Sequence, residues 1–104
     1  MPKCEVIFAR ALSTHPGRFL CDDFLKPLGI SQSALARHIG VNPRVINEIC
    51  REKRNISPRM AQLLEAAIEM SAEFWMNAQA AYDLTSHRLS ESEIPEKMPQ
   101  LATG

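Results

Sequence analysis

Along the middle of the chain, apolar residues recur at helical spacing, and capping residues mark the breaks between runs. Leu20 and Phe24 stand four apart, flanked by Phe19 and Cys21. Leu35, Ala36 and Ile39 form a second stripe, and Val45, Ile46, Ile49 and Cys50 a third. Met60, Leu63, Leu64, Ala67 and Ile68 form a fourth, and Phe74, Trp75, Ala78, Ala81 and Tyr82 a fifth. Each fits one face of a 3.6-residue repeat. Pro16, Pro43 and Pro58 stand where a first helical residue belongs, and Ser31, Asn42, Ser57 and Ser71 are good N-caps. Pro27 with Gly29 closes the first run, and Gly40 closes the second. The spacing predicts helices over 17–26, 32–39, 43–52, 58–69 and 72–88, with no strand alternation between 15 and 89. The expected fold is all-α with five helices.

The ends break this pattern. "CEVIFARAL", residues 4–12, reads equally as a short strand or a helix. "SESEIPEKMPQLATG", residues 90–104, is polar with two prolines and reads as a flexible acidic tail. The organisation is therefore a lead-in at 1–14, one domain at 15–89 and a tail at 90–104.

Composition narrows the function classes. A 104-residue chain with 45% hydrophobic residues supports one core without a metal or disulfide staple. No apolar run is long enough to span a bilayer, and Arg10 interrupts the only signal-like stretch, so the cytoplasm is the expected location. Cys4, Cys21 and Cys50 lack zinc or disulfide-framework spacing, and Cys21 and Cys50 read as small buried hydrophobes. His15, His38 and His87 have no nucleophile or carboxylate at an interpretable spacing, and no Gly-rich phosphate loop exists. The expectation is a protein that is not an enzyme and takes no metal, cofactor or small-molecule substrate.

Formal charge is zero, but its distribution is uneven. Residues 1–30 carry a net +1. Residues 31–59 hold Arg37, Arg44, Arg51, Lys53, Arg54 and Arg59 against Glu48 and Glu52, a net +4. Residues 60–104 carry a net −5. A basic centre and an acidic end point to two different partners.

The basic centre coincides with "ALARHIGVNPRVINEI", residues 34–49. Two short helices joined through Gly40, where a tight turn needs positive φ, with small Ala36 letting them cross closely, form a helix-turn-helix pattern. Away from Ile46 and Ile49 stand Arg44, Asn47, Glu48 and Arg51. Arg matches guanine, Asn adenine and Glu cytosine at the major-groove edge. Glu48 reads either as that cytosine acceptor or, preferably, as an intrahelical partner of Arg44 or Arg51. The third helix is expected to offer free N–H groups at its start, and Gln32 and Ser33 open the second helix where phosphate would lie. Lys53, Arg54 and Arg59 extend the backbone-positioning charge.

Residues 15–84 resemble the HigA (VapI-like) antitoxins of the XRE helix-turn-helix class. The resemblance rests on His15-Pro16-Gly17, Pro27-Leu28-Gly29-Ile30-Ser31, Ile46-Asn47-Glu48-Ile49 and "EFWMNAQAAYDL" at 73–84. It implies an XRE, lambda-repressor-like fold and a homodimer that neutralises a HigB-type toxin, a RelE-like ribonuclease cleaving mRNA. It also implies repression of its own operon through double-stranded operator DNA. Carried onto this sequence, it makes Pro43, Arg44, Asn47 and Arg51 the base-reading residues, with Gln32 and Ser33 at phosphates. A stand-alone repressor without a toxin, and a protein-binding module with a vestigial helix-turn-helix, remain alternatives.

The last helix has two faces to assign. Phe74 and Trp75 read as core packed against the fourth helix, and Ala78, Ala81, Tyr82 and Leu84 as a homodimer interface. A two-fold dimer would set two recognition helices about one DNA turn, ~34 Å, apart. Glu91, Glu93 and Glu96 read first as a solvated tail and second as an acidic contact for a basic ribonuclease toxin, and segment 4–12 is an equal candidate for that contact, by adding a strand to the partner's sheet.

Overall fold

Helix starts follow the caps. In the computed structural model, which describes residues 14–102, Ser31 Oγ accepts from the Ala34 N–H and Ser57 Oγ from Met60. Ser71 Oγ accepts from Phe74, and Asn42 Oδ1 from Arg44. The chain runs from Pro16–Arg18 through Phe19–Leu25 to Lys26–Leu28 as one rod, α1. It continues as α2 (Gln32–Ile39), α3 (Pro43–Cys50), α4 (Pro58–Ile68) and α5 (Ala72–Ser86). A 3₁₀ turn, Glu91–Glu93, and a short helix α6, Pro99–Ala102, follow. Among the described residues there is no strand. The predicted five helices are present within two residues at each end, and α6 is an addition. Segment 4–12 lies outside the described residues.

Two local features depart from the expected pattern. The middle of α1, Phe19–Leu25, is a π-helix whose i→i+5 bonding is carried on by Lys26 N–H to Cys21 O. A π turn brings residues five apart onto one face. Leu20 and Leu25 are accordingly the buried pair, and Phe24, expected to share Leu20's stripe, is only half-buried. Helix α3 stops at Cys50, two residues early. Lys53 N–H reaches Glu48 O at 2.8 Å and Glu52 N–H reaches Ile49 O at 3.0 Å, a Schellman closure that puts Glu52 at φ 62°.

The core is shared by all five helices. Phe19, Leu20 and Leu25 from α1 meet Leu35 and Ala36 of α2 and Ile46, Ile49 and Cys50 of α3. Met60, Ala61 and Leu64 of α4 and Trp75 and Ala78 of α5 complete it. Trp75 is fully buried as expected, but the aromatic packing runs to α1: Phe74 lies edge-on to Phe19 at 5.9 Å, and Trp75 lies 5.6 Å from Phe24. The loop after α3 is pinned by Ile56, buried, whose N–H donates to Gln79 Oε1 at 2.9 Å. Gln79 Nε2 in turn donates to Asp83. A polar residue on the inward face of α5 thus satisfies loop backbone that the core would otherwise leave unpaired.

Helices α1 and α3 approach each other backbone to backbone. Gly17 is buried, and a Cβ there would fall on the Ile49 carbonyl, inside contact distance of its oxygen and 2.6 Å from its carbon. His15 caps the same turn, its Nδ1 accepting from Gly17 N–H at 2.9 Å while the ring sits edge-on to Tyr82 at 4.9 Å. The segment expected to be a flexible tail carries local structure: Ser90 and Glu93 form a reciprocal capping box around the 3₁₀ turn, although residues 90–101 are all exposed.

Gly17→Ala must push α1 off α3 backbone, since neither partner is a side chain that can rotate away. The expected loss is about 3 kcal/mol, at the upper end for overpacking, which lowers Tm by more than about 10 °C for a domain of this size; thermal unfolding followed by circular dichroism checks it. His15 generates a second expectation. Burial pushes its pKa below the usual value, against the opposing pull of Glu52, Asp83 and the Asn55 side chain. Charging the ring also requires Nδ1 to abandon the Gly17 bond. The unfolded chain therefore binds the proton more readily, and the stability His15 contributes is complete above about pH 6.5 and lost as pH falls below it. Tm measured from pH 7.5 down to 5.5 should fall, and His15→Asn should flatten that slope.

Candidate nucleic-acid interface

The turn between α2 and α3 is built from backbone geometry. Gly40 closes α2 in the left-handed region at φ 77°, and Val41 N–H returns to Ala36 O at 2.9 Å. Ala36 is fully buried beneath the crossing, as its small size requires. Asn42 then caps α3 and Pro43 occupies its first turn. Free N–H groups at this start were expected and are not what the structure has. Arg44 N–H is held by Asn42 Oδ1, Val45 N–H by Asn42 O, and Pro43 has none to give. The charge on this helix start comes from side chains.

Arg44, Asn47 and Arg51 all lie exposed along α3, opposite the buried Ile46, Ile49 and Cys50. Arg44 keeps 82% of its side chain in solvent. Pro43, Ser33 and Lys53 are exposed too, and Ser33 and Pro43 line one shallow recess between the two helices. Gln32 is the bridge between the helices. Its Oε1 accepts from Asn47 Nδ2 at 3.1 Å, and its own amide faces Cys21 Sγ at 3.7 Å. This orients the Asn47 amide, leaving it a second N–H for an outside acceptor.

Glu48 is resolved by its partners. Its Oε1 accepts from Arg54 Nε at 3.0 Å and Nη2 at 2.8 Å, and its Oε2 lies 3.7 Å from Arg44 Nε. The hydrogen bonds and charge of Arg54, with Arg44 adding to them, hold its carboxyl below the usual range. The expected intrahelical pairing with Arg44 is present, but the dominant partner is Arg54, which helical spacing does not point to. It lies beyond the Schellman turn, which swings it back toward the helix. Arg54 is thereby tied to a carboxylate, while Lys53 and Arg59 lie exposed. Arg37 was expected only to add to the regional charge. It lines a shallow recess with Ser33, Val41 and Pro43, and its spacing of four from Ser33 was the available signal.

The interface residues assigned to α5 divide. Ala78 is 2% exposed and packs in the chain's own core, so its assignment to a dimer interface is corrected: the inward face of α5 is the one that carries Trp75 and Gln79. Ala81 is half-buried, and Tyr82 is half-buried against His15. Leu84 is 72% exposed. No helix among the described residues is long and apolar enough to cross a membrane, and no cluster of His, Cys, Asp or Glu there is placed to hold a metal.

Residues 23–75 match the profile of the helix-turn-helix family. The chain belongs to the XRE-type helix-turn-helix family. Its relatives in that family carry antitoxin and virulence-associated names. Virulence-associated protein I of Dichelobacter nodosus is 46% identical over 70 residues, 67% of this chain and 65% of that protein. Antitoxin HigA-1 of Vibrio cholerae is 36% identical over 72 residues, 69% and 68% of the two chains. Among solved structures, the Pseudomonas aeruginosa antitoxin HigA with the higBA promoter is 45% identical, with a TM-score of 0.69 over 70% of this chain and 79% of that one. The chain thus spans about two-thirds of the length of virulence-associated protein I.

Two substitutions distinguish base reading from backbone positioning in DNA binding. Asn47→Ala removes the one amide held across the helix pair and should relax base preference at its position, costing about 1–3 kcal/mol on the preferred duplex. Lys53→Ala should weaken all duplexes alike and reduce the salt slope by about one. Anisotropy titrations on preferred and scrambled duplexes at several salt concentrations distinguish the two, and a Lys53 effect confined to the preferred duplex would contradict its backbone role.

Proposed function

We propose that this chain is the antitoxin of a type II toxin–antitoxin pair, a homodimer that represses its own operon and neutralises a HigB-type, RelE-like mRNA-cleaving toxin. The observation that carries the DNA half is the exposed α3 row of Arg44, Asn47 and Arg51 with Asn47 held by Gln32, on a fold shared with an antitoxin solved on promoter DNA. In this reading Pro43, Arg44, Asn47 and Arg51 meet base edges, while Ser33, Lys53 and Gln32 position phosphates. Arg54 joins the phosphate contacts only by leaving Glu48. The protein works in the cytoplasm, where both partners are.

The antitoxin half is supported by the names of relatives such as HigA-1. The dimer in this reading uses the exposed end of α5, with Leu84 and part of Ala81 and Tyr82, and leaves Ala78 to the core. The stand-alone repressor is favoured by a different observation: a relative 31% identical over 71 residues is an uncharacterised transcriptional regulator of Escherichia coli.

Co-expression with the neighbouring reading frame tests the pair. Induction of that frame alone should arrest growth, and co-induction of this chain should restore it with the two proteins copurifying. If the neighbour is harmless, or arrest persists despite soluble antitoxin, the toxin partner is refuted. Binding of the upstream promoter DNA, measured on the chain alone, then decides whether the repressor reading stands by itself.

A further inference from the structure

Beside the start of α3 lies the shallow recess lined by Ser33 and Arg37 of α2, Val41 of the turn and Pro43, the first residue of α3. Its two halves differ in chemistry. Ser33 and Arg37 stand four apart, on one face of α2, and both are exposed. Among the described residues Arg37 is paired with no carboxylate, whereas Arg44 and Arg54 share Glu48 and Arg18 lies near Asp22 and Glu52. The other half is hydrocarbon. Val41 is half-buried against the core, and the Pro43 ring is exposed.

The caps of α3 limit what the recess can hold. A helix start ordinarily offers N–H groups to an anion. Here Pro43 has none, and Asn42 takes those of Arg44 and Val45. An anion in the recess is therefore held by the Arg37 guanidinium and the Ser33 hydroxyl, while the Val41 and Pro43 wall suits an apolar group. On the major-groove edge of a DNA duplex one base carries such a group, the C5-methyl of thymine. In an anti nucleotide the C5–C6 edge of a pyrimidine lies toward its own 5′ phosphate, so methyl and phosphate are presented side by side. Pro43 is followed directly by Arg44, which makes the recess continuous with the exposed row of α3.

We propose that this recess is a thymidine subsite, in which the C5-methyl rests on Val41 and Pro43 and the 5′ phosphate is held by Arg37 and Ser33. The subsite deepens the operator reading and rests on it. Val41, which no base-reading pattern selects because it is apolar and half-buried, becomes a specificity determinant together with Pro43. Arg37 becomes a positioning contact on α2, set apart from the cations that Glu48 engages.

The test uses the full chain and a labelled duplex of its own upstream DNA, with deoxyuridine replacing each thymidine in turn. The exchange removes the methyl and keeps the base pair. At one thymine in each half-site, affinity should fall about fourfold, the worth of burying a single carbon. Val41→Thr keeps the shape of the wall but places a hydroxyl on it, and Pro43→Ala trims an exposed ring outside the core. Each should remove most of that discrimination. Arg37→Ala should lower the slope of log affinity against log salt by about one. A methylphosphonate on the 5′ side of the sensitive thymidine should weaken binding by the unsubstituted protein and leave Arg37→Ala unaffected. Equal affinity for every deoxyuridine duplex, or discrimination that survives both wall substitutions, overturns the methyl contact. A salt slope unchanged by Arg37→Ala, or a methylphosphonate effect that persists in that variant, overturns the phosphate contact. Unsubstituted protein that binds upstream and scrambled duplexes equally sinks the operator reading and the subsite with it. Preference for the upstream duplex without any response to the methyl sinks the subsite alone.

Discussion

Backbone against backbone, Gly17 on the Ile49 carbonyl, sets the position of the helix that faces outward. Side-chain contacts in a core can be exchanged for others of similar volume, because rotamers adjust; a glycine against a carbonyl has no such freedom. The His15-Pro16-Gly17 turn is organised around this contact. Pro16 begins α1, His15 closes it by accepting the Gly17 N–H, and the imidazole rests on Tyr82 of α5. The absent Cβ lets the start of α1 lie on the end of α3, and Arg18 reaches Glu52 at 3.9 Å just past that end. A single small residue therefore ties together the first, third and fifth helices.

The position so fixed is used twice. The inner face of α3 closes the core with Ile46, Ile49 and Cys50, and the outer face leaves Arg44, Asn47 and Arg51 in water. A short eight-residue helix has little stability of its own, so its orientation comes from what packs behind it. Its caps are satisfied within the chain, by Asn42 at the start and by the Schellman closure at Glu52 at the end. The same closure returns Arg54 to Glu48. Such exposed pairs contribute little to stability, and their effect here is on availability: they set which cations stand free beside α3.

Electrostatics in this protein is regional. A balanced chain concentrates a net +4 between residues 31 and 59 and a net −5 beyond it. Within the basic region, folding subtracts Arg54 and engages part of Arg44 through one carboxylate. The free cationic surface beside α3 is narrower than a count of arginines suggests.

Local rules determined much of this from sequence alone. Ser31, Asn42, Ser57 and Ser71 could be recognised as helix starts because an N-cap needs only its own side chain and the next turn's N–H groups. Gly40 could be placed at positive φ for the same reason, and Ala36 at a close crossing because only a small residue fits there. The side chosen for Arg44, Asn47 and Arg51 followed from helical period. Contacts between distant segments were decided by the tertiary structure: Gly17 on Ile49, Gln32 on Asn47, Gln79 on the Ile56 N–H, and the burial that takes Ala78 into the chain's own core. The π segment of α1 belongs with them, since its i→i+5 register is worthwhile only when a core is present to receive Leu20 and Leu25 together. Periodicity says which way a helix faces. What stands opposite depends on how the helices cross, and that is set by the sum of many weak contacts rather than by any one stretch of chain.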